Sequence, residues 1–188
     1  SIEISMRMGY DLKMLPDNHT DGNFTRMNAA QRRAYDAYYG PIKKDLEARN
    51  LTGKELTEWK FQRYMRDYYG TAYSMDKNIG KMMQFLDNRG LTNQTLLVYT
   101  SDQGFYLGEH NWFDKRFMYE ESFRTPLVMR YPGKIKPGTI ISEPVVNIDL
   151  APSFVNIAGL SPKPDVQGMP VWPLFQEKYH WRNAVYYH

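Results

Sequence analysis

No cysteine occurs anywhere in the 188 residues. That excludes disulfides, a thiol nucleophile and any thiolate metal site, although it does not identify a compartment. Long hydrophobic runs are missing too: the longest apolar stretches are a few residues, far short of the roughly 20 needed to span a membrane as a helix. Charge of one sign is scarce. Lys and Arg number 24 against 21 Asp and Glu, for a net +3, and no basic run is dense enough to suggest a nucleic-acid groove. An anionic substrate remains compatible with that mild excess. No repeat period recurs, no segment is low in complexity, and no signal-peptide pattern opens the sequence. What is present is apolar and aromatic material, 42% and 15% of the chain, enough for the core of one domain or of part of a larger one.

Both ends read as cut points. The chain opens on Ser1, and its first 24 residues carry Gly, Pro and Asn breakers but no strand pattern. The last segment, "WRNAVYYH" (Trp181–His188), has the aromatic, β-branched character of a strand entering a sheet. The expectation is a fragment of a larger protein.

The first half is helical in pattern. Helix formers dominate Met27–Tyr39 and Ile42–Arg49, with a break expected at Gly40-Pro41. A long helix is predicted over Lys54–Arg89, with Gly90 as its C′ cap. Its stripe of Leu56, Trp59, Tyr64, Tyr68, Tyr73, Met75, Ile79, Met82, Met83 and Leu86 is expected to pack into the core. The second half alternates: a strand at Gln94–Thr100, a short helix at Phe117–Phe123 and a strand at Pro126–Tyr131. "PGKIKPG" is a turn, "IISEPVVNI" is extended, and "DLAPSFVNIAG" is a helix with Asp149 near its start and Gly159 after its end. Strand, helix, strand, helix is the pattern of an α/β fold.

The chemistry concentrates in Leu96–Pro126, "LLVYTSDQGFYLGEHNWFDKRFMYEESFRTP". Ligand groups in α/β sheets gather beyond the carboxyl ends of strands, which is where Asp102 and Gln103 fall. A carboxylate beside an amide oxygen suits a hard cation such as Ca²⁺ or Mg²⁺ and suits soft metals poorly. Gly104 and Gly108 let the backbone turn closely. His110 can give or take a proton near neutral pH. Lys115 follows Asp102 by 13 residues and offers a point positive charge. The alternative is that Ser101-Asp102 simply caps a following turn, and spacing alone does not choose between the two.

The segment "YTSDQGFYLGEHNWFDKRFMYEESFRTPLVMRYPG" resembles the late active-site block of the formylglycine-dependent sulfatases, in the alkaline-phosphatase superfamily. The pattern is S-D-[HNQ]-G, then G-E-H, then Lys, then a short helix ending in R-x-P-L. "NIDLAPSFVNIAGL", "QGMPVWPLF" and "WRNAVYYH" resemble later blocks, the last one those of bacterial glycosaminoglycan sulfatases, so the resemblance covers roughly Met65–His188. It implies an α/β fold with a mixed sheet flanked by helices, of which this chain would be the rear half of the catalytic domain. Residues 1–53 would then form an irregular or helical insertion and 54–188 the core portion. It also implies that Asp102 and Gln103 are the late pair of Ca²⁺ ligands, with Mg²⁺ possible. Lys115 would contact the sulfate and the ester oxygen, and His110 would lie close to the substrate. Glu120, Glu121 and Arg124 would belong to a supporting helix. The substrate implied is a sulfated carbohydrate such as N-acetylglucosamine 6-sulfate in glycosaminoglycans. The location implied is periplasmic or extracellular, with no nucleic-acid or membrane partner.

Departures from the family pattern are equally clear. The nucleophile motif C/S-x-P-x-R has no Cys here, and at its nearest match, Ser142, Val146 stands where Arg is required. No two Asp are adjacent, so the family's early metal pair is absent, as is its Pro-His-x-Pro element. The formylglycine, the other metal ligands and the rest of the enzyme would come from a missing N-terminal part. Two other readings stay open: a phosphodiesterase or phosphonate hydrolase of the same superfamily, and a non-catalytic structural or binding module. His19, His180 and His188 are scattered without zinc spacing. Asn18, Asn23 and Asn93 head sequons that matter only in a eukaryotic secretory protein.

Overall fold

The computed structural model describes residues 6–13, 25–176 and 180–186. In chain order its elements are α1 (Ala29–Arg49), α2 (Gly53–Asn88), β1 (Leu97–Thr100), β2 (Tyr106–Leu107), β3 (Phe113–Asp114), α3 (Glu120–Phe123), β4 (Leu127–Arg130) and α4 (Leu150–Ile157). They divide into two compact units, Ser1–Lys81 with Gly104–Arg124, and Met82–Gln103 with Thr125–His188.

In the first unit, α1 begins at a capping box. Asn28 Oδ1 accepts from the Gln31 amide and Gln31 Oε1 accepts from the Asn28 amide, both at 2.9 Å. The break expected at Gly40-Pro41 does not occur, and the helix runs through Pro41. Proline removes one i→i−4 hydrogen bond, and side-chain bonds to α2 hold the turn in place. Tyr39 donates to Asp67 at 3.4 Å, and Arg63 donates to the Tyr38 hydroxyl at 3.2 Å while also pairing with Asp67. The core of this unit is Met6, Met8, Leu12 and Tyr106, all buried. The N-terminal segment pairs with the loop of the β2–β3 hairpin through Met8 N to Asn111 O (2.8 Å) and Phe113 N to Met6 O (2.9 Å).

Helix α2 matches its predicted extent within a residue at each end. It stops in a Schellman motif: Gly90, at φ +67°, donates to Asp87 O, and Leu91 donates to Leu86 O. The expectation that its Met and Tyr stripe is core is corrected. No residue of α2 is buried, and Tyr68, Tyr73, Met75 and Met82 are exposed. Trp59, Phe61 and Tyr64 are partly covered, and Tyr68 stacks on Phe105 at 6.1 Å. The described residues cover this face only along its first turns.

In the second unit β1 and β4 pair antiparallel, Leu97 opposite Arg130 and Thr100 opposite Leu127. β1 was expected to belong to a mixed sheet. Among the described residues it has one neighbour, and both strand pairings in the chain are antiparallel. The predicted strand at Gln94–Thr100 is shorter because Thr92–Gln94 form a 3₁₀ turn, held by Gln94 N and Thr95 Oγ1 on Leu91 O. The predicted helix at Phe117–Phe123 contracts to α3, because Phe117 O is occupied by the Tyr106 hydroxyl and the Tyr119 amide. α4 ends in a second Schellman motif, at Gly159.

The strand expected at Trp181–His188 is not formed over the described residues 180–186. Side-chain bonds fix that segment instead: Trp181 Nε1 donates to Pro144 O at 2.9 Å, and Arg182 pairs with Asp149. Residues 187 and 188 lie outside the described residues, as do His19, Asn18 and Asn23.

Candidate functional site

Asp102 and Gln103 follow β1 after Ser101, at the strand's carboxyl end, as the sequence predicts. The turn is tightened by Ser101, whose Oγ donates to Gln103 O at 2.8 Å and receives the Gln103 amide at 3.4 Å. Asn147, in the 3₁₀ turn Asn147–Asp149, donates its side-chain amide to Asp102 O at 3.1 Å. Among the described residues neither the Asp102 carboxylate nor the Gln103 amide head makes a hydrogen bond or ion pair. Asp102 is exposed. Asn147 had no signal in the sequence, since a contact spanning 45 positions has no local pattern.

His110 and Lys115 belong to the other unit. The β2–β3 hairpin is locked onto α3 by backbone bonds, Gly104 N to Ser122 O at 2.9 Å and Phe105 N to Glu121 O at 2.5 Å. Only glycine fits at 104, because a Cβ there would lie 2.2 Å from Glu121 O. His110, Asn111, Asp114 and Arg116 all have positive φ, between 56° and 124°. Asn, Asp and His tolerate that region better than Arg, whose strain is on the order of 1–3 kcal/mol. The Arg116 amide donates to Ser122 Oγ at 3.0 Å, which fixes the peptide just after Lys115.

The His110 ring sits against Tyr119, Trp112 and Tyr106, at centroid distances of 4.7, 5.4 and 6.1 Å. Its Nε2 is 3.6 Å from Glu121 Oε1. Lys115 Nζ lies 3.6 Å from Asp114 Oδ1 while Arg116 is 3.0 Å from Oδ2, so one carboxylate carries two cations. Beneath the hairpin, burial pushes the Tyr64 hydroxyl up to about 12, with Tyr68 and Asp114 adding to the effect.

Asp149 lies immediately before α4, near the helix start as expected. It has helical backbone angles and makes no cap bond to that helix. Its buried carboxylate accepts from the amides of Val146 (2.9 Å) and Met169 (2.8 Å) and from both terminal nitrogens of Arg182, one at 2.7 Å. Burial alone would raise its pKa; Arg182 and the two amides outweigh that, and the carboxyl is held below its ordinary value.

As metal donors, Asp102 and Gln103 are right in kind and short in number. Ca²⁺ takes about six to eight oxygens, and no group of three or more His, Cys, Asp or Glu able to hold an ion occurs among the described residues. The pair fits as part of an oxygen shell.

Residues 108–188 match the family model for N-sulphoglucosamine sulphohydrolase, C-terminal. That match, with a likeness to a sulfatase along the whole chain, defines a segment of a sulfatase, and the chain belongs to the sulfatase family. Within it, the chain is 40% identical, over its whole length, to N-acetylglucosamine-6-O-sulfatase of Bacteroides thetaiotaomicron, and spans 36% of that protein. Its fold matches a solved structure of a protein in complex with its own substrate, D-glucosamine-2-N,6-O-disulfate, at TM-score 0.86 and 38% identity, covering 98% of this chain and 41% of the other. It is also similar to a phosphonate monoester hydrolase from Silicibacter pomeroyi, at TM-score 0.62 and 30% identity over 71% of this chain and 26% of the other. The fold is thus the α/β sulfatase fold expected from the sequence, seen here in part.

Proposed function

We propose that the protein containing this chain hydrolyses sulfate esters of carbohydrates, with the 6-sulfate of N-acetylglucosamine in glycosaminoglycans as the favoured substrate class. The observation that carries this is the 40% identity across the whole chain to an N-acetylglucosamine-6-O-sulfatase. The match to a structure holding a glucosamine disulfate points the same way.

In this proposal Asp102 and Gln103 supply two oxygens to a Ca²⁺ site, with Mg²⁺ the alternative, and the remaining donors lie outside the chain. When bound, the cation polarises sulfate oxygens. Lys115 places its ammonium where negative charge grows on the bridging oxygen as the S–O bond breaks, so it acts mainly on the transition state. His110 holds or moves a proton at Nε2 beside the substrate, with Glu121 3.6 Å away to orient the ring. The attacking group, a formylglycine, comes from residues beyond these 188, as does the rest of the substrate pocket. Export to the periplasm or the extracellular space belongs to the same proposal and is supported by the family resemblance.

The test is steady-state hydrolysis of N-acetylglucosamine 6-sulfate by the full natural protein with its nucleophile matured and Ca²⁺ present. Saturable sulfate release is the expected result. A second reading, phosphonate or phosphodiester hydrolysis, is favoured by the similarity to a phosphonate monoester hydrolase, since both substrates present a tetrahedral anion. Turnover of a phosphonate monoester with no sulfate release would overturn the first reading in favour of the second.

A further inference from the structure

We infer that Asn147 is a positioning residue for the Asp102–Gln103 donor pair, holding the peptide that joins the two. This rests on the proposal that the pair binds a divalent cation.

The peptide plane between Asp102 and Gln103 determines how their side chains point relative to one another. It is gripped on both edges. The carbonyl edge receives the Asn147 amide at 3.1 Å, and the N–H edge donates to Ser101 Oγ at 3.4 Å. The second grip is long and local, coming from the neighbouring residue. The first is shorter and comes from 45 positions away, so Asn147 ties this turn to a distant segment of its unit.

That link is itself anchored. Asn147 lies in the turn that Asp149 closes through Val146 N, and Asp149 is fixed by Arg182 and Met169 N. The buried ion pair thus reaches the donor pair through one exposed side-chain amide. A flexible turn would have to freeze about the 102–103 peptide on binding an ion, and the Asn147 bond removes that freedom beforehand. Residues that orient metal ligands without touching the metal typically contribute about 10–100-fold in affinity. With an exposed bond the lower end is expected.

The experiment measures Ca²⁺ affinity by titration calorimetry on the full natural protein, for wild type, Asn147→Ala, Asn147→Ser and Asp102→Asn, with metal-free thermal midpoints alongside. Asn147→Ala is expected to weaken Ca²⁺ binding about tenfold while its metal-free midpoint stays within a few degrees of wild type. Asn147→Ser, which keeps a shorter donor, should recover part of the loss. If Asp102→Asn weakens binding but Asn147→Ala stays within twofold of wild type, the inference is overturned and the metal proposal survives. If Asp102→Asn leaves Ca²⁺ affinity unchanged, both are overturned.

Discussion

Two aspartates of the same unit, Asp149 and Asp102, look alike in sequence: each follows a strand-like or extended run. Their surroundings are opposite. Asp149 is fully buried and accepts four hydrogen bonds, two from backbone amides and two from Arg182. Asp102 is exposed, and among the described residues its carboxylate has no partner. A saturated carboxylate has no capacity left for a ligand, and its role is to tie segments together. An unsaturated one beside a second oxygen donor contributes little to the fold and is available for chemistry. The comparison predicts that changing Asp149 acts on stability and changing Asp102 acts on ligand binding.

The largest effect should follow from breaking the buried pair. Asp149→Ala leaves Arg182 and two amides unpaired, and removing one member of a buried ion pair typically costs about 3–5 kcal/mol. Urea unfolding followed by circular dichroism would show it as a large fall in the midpoint; a change confined to the last segment would mean that the pair ties down only a local strap. The pH dependence has a definite sign. The folded-state pKa of Asp149 is lowered, so its contribution is present in full above the unfolded carboxyl value of about 4 and is lost as pH falls through the folded value. In Asp149→Asn that part of the acid destabilisation should disappear.

Next comes Lys115, which tests the functional side of the comparison. Lys115→Ala should lower kcat on a sulfated sugar by roughly two to three orders of magnitude in the full natural protein, as removal of one preorganised transition-state donor does. Its partner in this structure is Asp114, at 3.6 Å and shared with Arg116. Fold stability should therefore change little. A kcat within threefold of wild type, with Ca²⁺ saturating, would leave Lys115 as a surface cation paired with its neighbour.

The legibility of these features in the sequence follows their range. Helix α2 and its stop at Gly90 were readable because the period and the cap are local. The placement of Asp102 and Gln103 after β1 was readable for the same reason. Asp149 was placed at the start of its helix, where it lies, but its partners Met169 and Arg182 were not legible, since they lie 20 and 33 positions away. Nothing in the sequence couples them. Pro41 was read as a break because the side chains of Arg63 and Asp67 that reach α1 from α2 are equally remote. The Met and Tyr stripe was read as core from periodicity, which reports that a face is apolar and not what covers it. The roles given to Lys115 and His110 came from family resemblance rather than from any pattern that spacing alone could supply.

The smallest expected effect is also the sharpest test of the comparison. Asp102→Asn replaces an exposed carboxylate, which has no partner among the described residues, with a near-isosteric amide. The bonds that shape the turn are made by other atoms: the Asp102 carbonyl accepts from Asn147, and Ser101 Oγ and Gln103 complete it. None needs the side-chain charge. In the absence of metal the substitution should therefore shift the thermal midpoint by no more than about 2 °C, within the range of ordinary surface changes. Calcium should then separate the two proteins. Ligand that binds only the folded state raises the midpoint by an amount set by its concentration relative to Kd, so saturating Ca²⁺ should stabilise the wild type and leave Asp102→Asn nearly unmoved. A large loss of metal-free stability would place Asp102 with Asp149 among the residues that hold the fold, and the division drawn between the two aspartates would fail.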